Sequence, residues 1–200
     1  MNDDPRRHHR PTRPGAAFFD ARTSGPDPAE VSAAADRAAT LLVRGARDAG
    51  DAQVSDRVVR LADTEGLETL AELWSGASPD SLAGCLWRLY VLRSWVYADP
   101  VGAARQFDVG RTHAPVARVV AGVAEPPGPD ELRRMIDDVL RGIAEREFAD
   151  VLLRAAAFAR VVAAGRAGLE AVGDLETERM LTLSEQLEHA ALAELDDPLV

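Results

Sequence analysis

Apolar residues recur along this chain with the period of a helix rather than the alternation of a strand. The cleanest example opens at Pro129-Asp130-Glu131. Leu132, Met135, Ile136, Val139, Leu140 and Ile143 keep to one face, and Arg133, Arg134, Asp137, Asp138 and Arg141 keep to the other. The stretch of about 147–165 repeats the pattern with Phe148, Val151, Leu152, Ala155, Phe158, Ala159 and Val162. A final helix is expected from an Asp174 cap, with Met180, Leu183, Leu187 and Ala191 on its seam and Glu178, Glu185, Glu188 and Glu194 outside.

Earlier in the chain, Asp27-Pro28-Ala29-Glu30 combines an N-cap, a proline at the first helical position and a capping-box glutamate, so a helix of about 28–48 is expected to begin there. A second, of about 52–65, closes at Gly66, and a shorter one carries Leu67, Leu70, Ala71 and Trp74. Residues 81–98 are apolar on nearly every side, interrupted only by Arg88, Arg93 and Ser94, which predicts a helix surrounded by others. Its Trp87, Val91 and Trp95 row has core spacing. Asp99-Pro100 starts a further helix that runs to about Gly110. Four valines at 116, 119, 120 and 123 take helical spacing and predict a short helix over 115–124. Gly165, Gly168 and Gly173 read as a frayed stretch. Ala103-Ala104-Arg105-Gln106-Phe107 is faintly echoed by Ala155-Ala156-Ala157-Phe158, too weakly to define a repeat.

The pattern therefore predicts an all-α protein. It is a single globular multi-helix domain of eight or nine helices over 29–197, with a disordered arm over 1–28 rich in proline and arginine.

Composition refines this picture. Apolar residues make up 46% of the chain and aromatics only 5%, an Ala/Leu-rich material suited to close-packed helices. Every basic residue is arginine, which a GC-rich genome explains without any functional demand. The net charge is −10, and since residues 1–30 hold five Arg and five acids, the body carries all of it. An acidic body repels phosphate backbones and anionic lipid, which disfavours non-specific nucleic-acid or membrane binding. No stretch approaches the ~20 apolar residues that span a bilayer, and the N-terminus lacks the apolar region of a secretory signal. The expected location is the cytoplasm. Cys85, the sole cysteine, excludes an intrachain disulfide and a multi-cysteine zinc site, and its apolar surroundings predict an inert buried thiol.

Few residues suggest chemistry. Arg6, Arg7, Arg10 and Arg13, with His8 and His9, form a basic cluster that could contact phosphates, although charge-rich runs are generally solvated tails. Phe18 and Phe19 are adjacent aromatics able to dock on the body or on a partner. Arg111 and His113 share a loop between helices, where an imidazole beside a guanidinium is a weak acid–base candidate. Glu185, Glu188 and His189 have metal-ligand spacing but no matching set on a second helix, and solvent exposure is the expectation for them and for the Asp137-Asp138 and Asp196-Asp197 pairs. Phosphate-loop, dinucleotide, zinc-protease and serine-hydrolase motifs do not occur. The expectation is thus no catalytic residue, no cofactor and no metal.

The segments Leu67–Trp74, Leu86–Arg93, Val119–Pro129, Ala155–Phe158 and Val161–Arg166 resemble an uncharacterised family of actinobacterial all-helical proteins, over roughly residues 30–168. Its members are sometimes labelled RNA polymerase subunits. The resemblance implies a genome type and a helical fold, and it carries over no functional residue.

Three functional expectations follow. The foremost is a non-catalytic protein acting through protein–protein interaction, with another protein or with itself. The alternative is a transcription- or nucleic-acid-associated regulator that makes its contacts through the arm alone. The third is an enzyme with a site near Arg111 and His113.

Overall fold

The structure is a computed structural model that describes residues 27–49, 60–61, 63–114, 128–169 and 173–199. The expected arm, with Arg6, Arg7, Arg10, Arg13, Phe18 and Phe19, and the expected helix over 115–124 lie outside the described residues.

The protein is all-α, with no strand among the described residues. In chain order its helices are α1 (Pro28–Ala49), α2 (Leu67–Trp74), α3 (Leu82–Ala98), α4 (Pro100–Gly110), α5 (Pro129–Glu145), α6 (Phe148–Ala167) and α7 (Asp174–Asp196). Residues 60, 61 and 63–65 are helical as well.

Local chemistry sets the boundaries. Asp27 Oδ1 accepts the Ala29 N–H at 3.0 Å and so satisfies one of the free donors that open α1. Asp99 Oδ1 does the same for Gly102 at 2.9 Å, with Pro100 beginning α4 as expected. Ser81 Oγ, a cap the periodicity did not single out, accepts from Gly84 at 3.1 Å and starts α3. Asp174 is not the cap of the last helix. Gly173 holds that place with no side-chain bond, and Asp174 lies in the first turn, where its negative charge favours the positive end of the helix dipole. Between the 60–65 stretch and α2 the chain turns at Gly66, whose φ of 83° lies where a side chain would be strained.

The core forms around α3 and α6. α3 touches every other helix named above, and Leu82, Cys85, Leu86, Leu89, Tyr90, Leu92 and Val96 are fully buried. Trp87 and Trp95 only half-insert, packed against the rim of the core, and Val91 is also half-buried, so the tryptophan row borders the core rather than filling it. The inward position that Arg93 takes explains why.

α6 is buried further round than its pattern indicated: Ala149, Ala156, Ala157, Val161 and Ala163 join the predicted face. Small residues allow this. At the crossing of α4 and α6, a Cβ on Gly165 would stand 1.7 Å from the Gln106 carbonyl oxygen, and one on Gly110 would stand 1.8 Å from that of Val161. The two backbones are in direct contact. Gly165 is therefore a packing residue inside α6 and not the start of a frayed stretch. Phe107 of α4 and Phe158 of α6, the aromatic ends of the two echoed segments, stack with ring centroids 5.4 Å apart. All six apolar positions predicted for α5 are buried.

Candidate functional site

Arg93 anchors the most developed polar cluster among the described residues. It lies on α3 one turn after Leu89 and one before Val96 and Tyr97, on the side that faces the interior. A guanidinium placed there must find partners, because an unpaired buried charge is very costly. It finds two carboxylates. Nη1 and Nη2 donate to Asp63 Oδ1 and Oδ2 at 2.9 and 3.0 Å, a bidentate fork, and Nε donates to Asp137 Oδ1 on α5 at 2.9 Å. The second oxygen of Asp137 accepts the Tyr97 hydroxyl at 2.6 Å. The Tyr97 ring lies 4.2 Å from the Arg93 guanidinium carbon, with the Arg133 guanidinium 5.7 Å away. Burial alone would lower the Arg93 pKa, but the two carboxylates outweigh it and hold the group more firmly charged than usual. Burial, then the bond to Asp137, push the Tyr97 phenol above its ordinary value.

This cluster corrects the expectation for Asp137. Its side chain is 15% exposed and internally paired, whereas Asp138 does reach solvent, in an ion pair with Arg141. The signal was present in the sequence: an arginine inside an otherwise apolar helix calls for a carboxylate from elsewhere.

Two further arginines act as ties. Arg166 is buried at the end of α6, donates to Gln106 Oε1 and to the Glu176 carbonyl, each at 2.7 Å, and lies over the Trp95 ring at 4.8 Å. Arg44 on α1 forks onto both oxygens of Glu194 at 2.6 and 2.9 Å and also donates to the Leu199 carbonyl. Glu194, expected on the outside of the last helix, is therefore only 8% exposed. The Leu199 N–H returns to Glu194 Oε2 at 2.7 Å and folds the tail onto α7.

The weaker sequence candidates fall as follows. Arg111 Nε donates to Asp108 Oδ1 at 2.6 Å, one turn back on the same helix end. His113 is exposed, and its Nδ1 lies 3.1 Å from the Val109 carbonyl and from the Thr112 hydroxyl. A carbonyl only accepts, so the bond to Val109 places a proton on Nδ1, and the ring caps the end of α4. Glu185, Glu188 and His189 are exposed, Glu188 accepting from Arg160. Among the described residues, no group of three or more His, Cys, Asp or Glu is placed to hold a metal ion. Cys85 is buried beneath the Pro79 carbonyl, and burial pushes its thiol up to about 12. Ser184 is buried and spends its hydroxyl on the Ala156 carbonyl at 2.9 Å.

The outer face of α7 is different in kind. Leu181 and Leu192 lie about three turns apart on one side, with Leu195 a turn further on. They are 38%, 54% and 62% exposed. The sequence pattern assigned only charge to this face.

Fold and geometry together define the class: an all-α protein whose internal charges join its helices. No family model, curated protein or solved structure matches the chain. Among the described residues, no helix is long and apolar enough to cross a membrane.

Proposed function

We propose that this chain is a non-catalytic helical protein of the cytoplasm that works by binding another protein through the outer face of α7, and that it belongs to the actinobacterial helical family its segments resemble. The observation that carries the binding reading is that Leu181, Leu192 and Leu195 stay exposed along the flank of a long helix whose adjoining seam, Met180, Leu187 and Ala191, is committed to the core. Leucines left in water at helical spacing are what a hydrophobic groove on a partner reads.

Arg93, Arg166 and Arg44 each bond to groups of this chain on neighbouring segments, as residues that join helices do. A pull-down from a host lysate combined with a solution mass tests the proposal. Specific recovery of a partner, or a mass above that of the monomer, is the expected result. No partner together with a strictly monomeric mass would contradict it.

A further inference from the structure

We propose that Arg93 forms the base of a carboxylate-binding site and that Asp63 is its exchangeable internal occupant. The site is built by groups other than the occupant. Nε is fixed by Asp137 Oδ1 at 2.9 Å, Asp137 is fixed in turn by the Tyr97 hydroxyl, and the Tyr97 ring supports the guanidinium plane from 4.2 Å. These contacts leave Nη1 and Nη2 aimed in parallel at one position, the geometry that takes both oxygens of a single carboxylate. If Asp63 withdrew, the fork would stay aimed.

The occupant is the more exposed partner, and it lies in the short helical stretch that ends at Gly66. The Arg93 side chain is 6% exposed, whereas that of Asp63 is 55% exposed, so the pair lies with its carboxylate toward solvent and a competing carboxylate can approach along that side. Asp63 is followed by Thr64 and Glu65, both exposed, and then by Gly66, the one described residue with a positive φ. A chain that turns at glycine can swing without straining a side chain. The ligand class is a carboxylate small or extended enough to lie flat on the fork, such as the acidic side chain or terminal carboxylate of a peptide. Nothing in this inference depends on α7 as a binding face.

The test uses the full chain with Asp63→Ala and formate as the probe. Formate, titrated against chloride at equal ionic strength, is expected to raise the melting temperature of Asp63→Ala by several degrees with saturation and to move the wild type much less, because there Asp63 competes for the fork. Asp63→Ala/Arg93→Lys, which keeps the charge and loses the fork, is expected to lose most of the gain. Hydrogen exchange on the wild type supplies the second reading: amides at 63–65 are expected to open at least tenfold more readily than those of α3. Equal formate effects on wild type and Asp63→Ala would overturn the site. Opening of 63–65 only together with α3 would overturn the exchange.

Discussion

The guanidinium of Arg93 and the carboxylate of Asp137 meet at 2.9 Å across the junction of α3 and α5, in surroundings where neither has ready access to water. Asp137 is shared, since its other oxygen accepts from Tyr97 at 2.6 Å. Asp137→Asn keeps the shape and one accepting oxygen for Arg93, but it removes the negative charge beside the guanidinium and puts an NH2 where an oxygen accepted the Tyr97 hydroxyl. The expected loss is about 1–3 kcal/mol of unfolding free energy by urea titration, typical of a buried group left with mismatched partners. Asp138→Asn, one residue away in an exposed ion pair, is expected to change stability by less than about 0.5 kcal/mol.

The crossing of α4 and α6 makes the opposite demand, for the absence of atoms. Gly165→Ala places a methyl group where the Gln106 carbonyl already stands, and backbone cannot step aside as a side chain can. The helices must separate, at an expected cost of about 1–3 kcal/mol or more. At Gly45 in α1, by contrast, an added methyl group would meet nothing within 4 Å. There Ala is expected to add about 0.5–1 kcal/mol by lowering the entropy of the unfolded chain and favouring the helix. Thermal unfolding of the two variants beside the wild type checks both signs.

Alkaline pH should loosen the fold through a thiol and phenols that burial holds neutral. The Cys85 thiol is pushed from an ordinary value of 9.0 up to about 12 by burial, and burial also raises the phenols of Tyr90 and Tyr97. A raised pKa on an acid means that the folded state keeps its proton longer than the unfolded chain does. That contribution is complete below pH 9 and fades as pH climbs from about 9 toward about 12. Stability is therefore expected to fall across this window, and Cys85→Ala is expected to flatten the first part of the fall. An unchanged slope between pH 9 and 11 in that variant would contradict the assignment.

Much of this architecture was legible in the sequence because it follows from local rules. The apolar face of α5 is buried residue for residue, the seam of Met180, Leu187 and Ala191 faces inward, and the Asp99-Pro100 start appears as a proline-led helix with its aspartate cap. What could not be read depends on which elements become neighbours. Asp137 falls on the polar side of α5 by periodicity, and only the approach of α3 turns that position into an interior one. Glu194 is drawn inward by Arg44, far away in sequence, for the same reason. Gly165 resembles the glycines that end helices, yet the distinction between an end and a crossing belongs to α4, not to α6. Of the candidate site residues, His113 and Arg111 bond to groups at the end of α4, and the leucines of α7 were hidden among glutamates.

The most direct measurement compares the full chain with its Leu192→Glu/Leu195→Glu variant in quantitative pull-down, with sedimentation to follow self-association. Both leucines are more than half exposed, so the substitution should leave the helical spectrum and melting temperature nearly unchanged. Recovery of the partner, or of the self-associated form, is predicted to drop at least tenfold. Undiminished recovery by a correctly folded variant would contradict the claim that this protein works through the outer face of α7.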